Sequence, residues 1–219
     1  MIIAGIDNSK NSPGIVKFYI NDETFKIEKE DFLGITTTKA KKPKTNTGKN
    51  CLRFYDKESD DYEKMTFMSD NIIEFVKDCH YIAFESYSFS SNGKVFDIAE
   101  CTGVLKWRLY HLNKIIRLYA PTLIKMFATT NGKADKNMMI DYYKKIGNPL
   151  NIAESQLTNK PYEDIVDAYW ITKLLYMELS IRKGFISLHE LSEEQIRPFN
   201  HISPSSKINL LSIDFIQKK

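Results

Sequence analysis

Sulfur and imidazole are scarce in this chain. Its three cysteines, Cys51, Cys79 and Cys101, form no Cys-x-x-Cys pair and leave an odd count. That argues against a disulfide framework and against a thiolate metal centre, and predicts a reducing, intracellular, cytoplasmic setting. The four histidines, His80, His111, His189 and His201, are scattered and read as surface or packing residues rather than ligands. No apolar run is long enough to span a bilayer, so no membrane partner is expected. The first residues enter a strand at once (Met1-Ile2-Ile3-Ala4-Gly5-Ile6-Asp7), so no signal peptide is expected. Charge of one sign is also lacking: 31 basic and 28 acidic side chains leave only +3, which does not by itself announce nucleic acid. What charge there is lies in blocks. Residues 35–50 hold five lysines and no acid, and residues 54–63 hold five acids. The lysine block can follow a phosphate backbone or can be a solvated loop.

Within 219 residues one domain with a sizeable core is the natural expectation. Apolar runs predict strands over 2–6, 14–20, 25–35, 51–55, 80–85 and 115–119, with a turn at Asn11-Ser12-Pro13-Gly14. Met65, Met68, Ile72, Phe75 and Val76 recur at helical spacing and predict a core-facing helix over 60–78. Further helices are predicted over 95–112, over 135–146 with Asp135 as its cap, and over 161–182 with Pro161 in the first turn. Hairpin strands followed by alternating strands and helices indicate an α/β domain with a mixed sheet. Residues 1–182 form that domain, and 183–219, broken by Pro198 and Pro204, read as a C-terminal extension.

Four carboxylates fall where a metal-dependent phosphoryl-transfer site needs them. Asp7 and Glu85 each end an apolar strand, and ligands in such sheets collect at the carboxyl ends of strands. Asp164 and Asp167 lie three apart at the start of the last long helix, so they share a face. An all-oxygen cage of this kind suits hard divalent cations. Four clustered carboxylates also repel one another, so at least one should hold a proton more readily when no metal is bound.

The order of these motifs resembles a known family. Gly5-Ile6-Asp7, Ala83-Phe84-Glu85 and Asp164-Ile165-Val166-Asp167-Ala168 are similar to the RuvC Holliday junction resolvases, nucleases of the RNase H-like (retroviral-integrase) superfamily. Two further stretches agree: Glu100-Cys101-Thr102-Gly103-Val104-Leu105, and the lysine-bearing turn Asn131-Gly132-Lys133-Ala134-Asp135-Lys136. The chain departs from the family pattern where Asn8-Ser9 follow the first Asp in place of proline or glycine, and in the long interval from Asp7 to Glu85. The compact, lysine-rich composition looks like a phage or viral member, which would act inside a host cell.

The resemblance implies an RNase H-like mixed sheet flanked by helices on both faces. It implies a metal-dependent, structure-selective endonuclease acting on branched DNA through two Mg²⁺ ions, with Mn²⁺ as a substitute, held by Asp7, Glu85, Asp164 and Asp167. Lys133 and Lys136 would stabilise charge on the scissile phosphate, with Lys133 preferred because it lies in the turn itself. A lysine at a helix start opposes the helix dipole, which favours a functional role over a solvated one. Tyr87 and Phe89 would stack on bases at the junction centre, and Lys39, Lys41, Lys42 and Lys44 would contact backbone. A four-way junction is two-fold symmetric, so a homodimer is expected, with the 95–112 helix and its small residues Ala99, Thr102 and Gly103 as the interface. Two readings within the superfamily stay open: an RNase H acting on RNA–DNA hybrids, and a non-catalytic nucleic-acid-binding module. An actin-like sugar or acetate kinase also opens on a strand ending in Asp. It needs a second such half and glycine-rich phosphate loops, which nine glycines and a single opening motif do not supply.

Overall fold

The computed structural model describes residues 1–38, 50–56, 58–87, 95–200 and 210–218. Strands β1 (Ile2–Asp7), β2 (Gly14–Ile20), β3 (Ile27–Thr38), β4 (Asn50–Asp56), β5 (Tyr81–Glu85) and β6 (Ile115–Tyr119) form one sheet in the order β4-β3-β2-β1-β5-β6. The first three strands run antiparallel, whereas β5 and β6 run parallel to β1. The 51–55 segment joins as β4, parallel to β3, pairing Phe32 with Asn50 through Thr38 with Asp56.

Helices cover both faces. α1 (Asp61–Val76) and α2 (Val95–His111) pack on one face through Met68, Ile72, Val76, Leu105 and Leu109, against Ala4, Ile6, Ile15 and Phe84. α1 opens on a reciprocal capping box between Asp60 and Glu63. The other face carries α3 (Pro121–Thr129), α4 (Lys136–Lys145), α5 (Tyr162–Arg182) and α6 (Glu193–Asn200) around Ile3, Val16, Phe18 and Tyr119. Successive residues of β1 therefore serve opposite layers, as strand pleating requires. α5 is apolar on nearly all sides because it is buried between the sheet and the outer helices.

Two glycines set how close α5 comes to the sheet. A methyl group at Gly5 would lie 2.5 Å from the Thr172 nitrogen, and one at Gly14 would lie 2.3 Å from the Asp164 carbonyl. Only a residue without Cβ lets α5 settle directly on β1 and β2.

Two features differ from the expectations. α3 was not anticipated: Pro121 does close β6, but it also occupies the first turn of a new helix, where its missing N–H costs nothing. The C-terminal stretch returns to the domain. Phe199 and Leu210 are buried in its core, and Ile216 exchanges backbone hydrogen bonds with Ile116 of β6 (2.8 and 2.9 Å). Among the described residues no helix is long and apolar enough to cross a membrane.

Candidate active site

β1 and β5 are parallel neighbours, so Asp7 and Glu85 leave the sheet at the same edge. The first turns of α5 cross above them at the close approach that Gly5 and Gly14 permit. The result is a cleft of about 360 Å³ lined by all four predicted carboxylates. Carboxylate oxygens of Asp7, Asp164 and Asp167 lie within 4.8 Å of one another. Glu85 faces the same cleft from outside that tight group.

The arrangement is electrostatically costly. Burial raises the Asp7 carboxyl well above its ordinary range, and the charges of Asp167, Asp164 and Glu85 raise it further. Burial and Asp167 push Glu85 up to about 7, and burial pushes Asp167 up to about 6 against the pull of Lys136. All three shifts run toward the protonated form, with desolvation the largest cause and, at Asp7 and Glu85, repulsion by Asp167 the second.

Lysines on the rim partly offset this charge. Lys136, at the first position of α4, reaches Asp164 (3.2 Å), Glu163 (3.4 Å) and Asp167 (3.6 Å). Burial would lower its ammonium pKa, but those carboxylates outweigh burial and raise it. Lys133 is exposed, and its backbone N–H donates to Asn131 Oδ1 in the turn. Of the two predicted lysines, Lys136 is the one that reaches the acids. Tyr87 lines the cleft, donates from its hydroxyl to the Ala99 carbonyl (3.3 Å) and lies under the Lys106 ammonium. Phe89 and Lys39, Lys41, Lys42 and Lys44 lie outside the described residues.

Three residues that touch the acids or line the cleft lie outside the expectations from sequence. Ser12 is buried, and its Oγ donates to Asp164 Oδ2 at 2.5 Å. Lys160 pairs with Asp164 and Glu163, and its i, i+4 spacing to Asp164 was a readable signal. Lys125 comes from α3 and lowers the Glu85 pKa through its charge. The unusual Asn8 also has a job: its amide donates to Thr102 Oγ1 at 2.8 Å, tying the end of β1 to α2.

The donor set is therefore all oxygen, clustered and short of neutralising charge. It fits a hard divalent cation.

Among solved structures the chain is similar to Thermus thermophilus RuvC, with a TM-score of 0.55 and 16% identity over 84% of this chain and 97% of that one. It matches T. thermophilus RuvC in complex with a Holliday junction substrate equally well (0.55, 16%, covering 84% and 96%). Fowlpox virus resolvase in complex with substrate Holliday junction DNA is also similar (0.50, 14%, covering 82% and 99%). No protein-family model matches the sequence, and no curated protein matches it. At these identities the likeness establishes the fold: the chain has the RNase H-like α/β architecture of RuvC, with a mixed sheet between two helical layers.

Proposed function

We propose that this chain is a metal-dependent endonuclease that cuts branched DNA, with four-way junctions as its substrate class. The observation that carries the reading is the convergence of the Asp7, Asp164 and Asp167 carboxylates within 4.8 Å at the strand ends of an RNase H-like sheet. The solved neighbours seen with Holliday junction DNA support the substrate class.

Asp7, Asp164 and Asp167 would hold the cation, with Glu85 completing the set from the next strand. A bound divalent cation supplies a hydroxide-like nucleophile at neutral pH and charge stabilisation at the phosphate. The chain's own residues do the rest. Ser12 fixes one oxygen of Asp164, so the other is presented in one orientation. Lys136, already charged and aimed into the cleft, stabilises negative charge developing on a phosphodiester. Tyr87, beside the acids, offers a ring to an unpaired base.

Symmetric cutting of a junction calls for a two-fold dimer, and the exposed surface of α2 suits one. Phe96 is 81% exposed and Trp107 64%, with Val104 beside them on the same helical face and open space above Gly103. Of the small residues named from sequence, Thr102 is buried, whereas Ala99 and Gly103 are both partly exposed. Trp107→Ser is expected to shift the protein toward monomer in analytical ultracentrifugation.

Activity is tested with labelled four-way junctions, Y-forks, linear duplex and RNA–DNA hybrid in Mg²⁺, Mn²⁺ and EDTA, with Asp7→Asn in parallel. Paired metal-dependent nicks across the junction, absent from the variant, support the proposal. Preferential cutting of the hybrid would move the protein to the RNase H reading. Binding without cutting would make it a non-catalytic module.

A further inference from the structure

Lys160 stands two residues before α5, and its ammonium lies against the carboxylates of the cleft. It is 2.8 Å from Glu163 Oε1, and it donates to Asp164 Oδ1. Lys136 approaches that same Asp164 oxygen from α4, and Ser12 occupies the other. Asp164 is 2% exposed at its side chain, and these three donors take both lone-pair sites of Oδ1 and one of the two on Oδ2. A divalent cation drawing on Oδ1, the oxygen that Ser12 does not hold, must share or replace one of the ammonium contacts. Two cations a few ångströms apart repel strongly in a half-buried site, so sharing is disfavoured.

The two lysines are not equally free to give way. Lys136 keeps contacts with Asp167 and Glu163 if it leaves Asp164. Among the described residues Lys160 keeps one ion pair, with Glu163 from its own helix turn; the two side chains are similarly exposed (45% for Lys160, 52% for Lys136), so the contacts left behind are what separate them. A four-carbon stem in that position can carry its charge outward at little cost. The mouth of the cleft is also where a phosphodiester must enter to reach the acids.

Resting on the metal-site reading above, we infer that Lys160 is an internal counter-cation that competes with the divalent ion for Asp164. Once displaced, it turns outward to bind the DNA backbone. It is a positioning and specificity residue, coupling metal loading to phosphate binding.

The test measures Mn²⁺ binding by electron paramagnetic resonance on the full chain without DNA. The proteins are wild type, Lys160→Met, Lys160→Arg and Asp7→Asn, each checked for folding by circular dichroism. Removing a competing ammonium should tighten Mn²⁺ binding about three- to tenfold in Lys160→Met, as loss of one or two partly exposed ion pairs allows. Lys160→Arg keeps the charge and should bind no more tightly than wild type. Unchanged or weaker binding in Lys160→Met would overturn the inference, making the residue a bystander or a support for Asp164. Failure of wild type to bind Mn²⁺, or undiminished binding by Asp7→Asn, would overturn the metal-site reading itself and this inference with it. The outward role is read separately. With Ca²⁺ as the divalent ion, the salt slope of junction binding should fall by about one in Lys160→Met. An unchanged slope would remove the phosphate-binding half of the inference.

Discussion

At the Arg182 end of α5, Glu178 is fully buried, and both its oxygens are answered by donors from within the chain. Arg117 donates to both its oxygens (2.8 and 3.0 Å), Tyr119 adds a hydroxyl at 2.6 Å, and Arg182 adds a third cationic donor at 2.8 Å. The spare guanidinium hydrogens of Arg117 and Arg182 hold the carbonyls of Leu210 and Ile213, so this network also anchors the C-terminal segment. At the other end of the same helix, Asp164 and Asp167 meet Asp7 and Glu85 with too little positive charge to balance them. One end uses buried charge to fix the fold, and its partners are internal. The other leaves charge unanswered, as a site does when its partner arrives from outside.

The comparison breaks most sharply at the internally partnered end. Glu178→Ala strands the buried Arg117 guanidinium and should cost about 3–5 kcal/mol of stability in denaturant unfolding, with loss of the C-terminal anchor. A cost below about 1 kcal/mol would mean the network is not what holds that end. At the acidic end the geometry itself can be moved. Gly14→Ala forces a methyl into the Asp164 backbone, and overpacking of this kind costs about 1–3 kcal/mol. Displacing α5 also misplaces its carboxylates relative to Asp7, so cleavage should fall roughly 10²-fold in a protein that still folds.

Next come the two predicted lysines. Lys136→Met should slow junction cleavage by about 10–100-fold, whereas Lys133→Met should stay within about twofold. The reverse ranking would restore the turn lysine as the functional one.

The smallest effect is a pH dependence of the metal-free protein. The folded-state pKa values of Asp7, Glu85 and Asp167 are raised, so the folded state binds more protons than the unfolded chain above about pH 4. Stability therefore falls as pH rises from there through about 7, the reverse of a salt-bridged carboxylate. The advantage of Asp7→Asn over wild type should accordingly grow from near zero at pH 4 to about 1–2 kcal/mol at pH 8. Equal pH profiles would place the burden elsewhere.

Much of this is legible in the sequence. Asp7 and Glu85 are readable because pure apolar runs end on them, and an acid at such a junction has nowhere to go but the sheet edge. The Asp164–Asp167 pair is readable from its i, i+3 spacing behind Pro161. α3 is hard to read because nine residues are too short a stretch to establish a helical period, and Pro121 signals a strand end and a helix start alike. Lys125 was missed with it. Ser12 is one polar residue in a polar turn, and only the close approach of α5 through Gly14 gives it a partner. The anchoring of the tail is not readable either: it rests on Arg117 of β6 and Glu178 of α5, a pair 61 residues apart that only tertiary folding joins.

The measurement that bears most directly on the central claim is the thermal stability of metal-free wild type and Asp7→Asn at pH 8, with and without Mg²⁺. If the acidic end of α5 is left unbalanced for a cation, the variant melts above wild type without metal, and Mg²⁺ raises the wild-type midpoint while leaving the variant nearly unmoved. A variant that melts below wild type, or Mg²⁺ shifts that are equal in both, would contradict it.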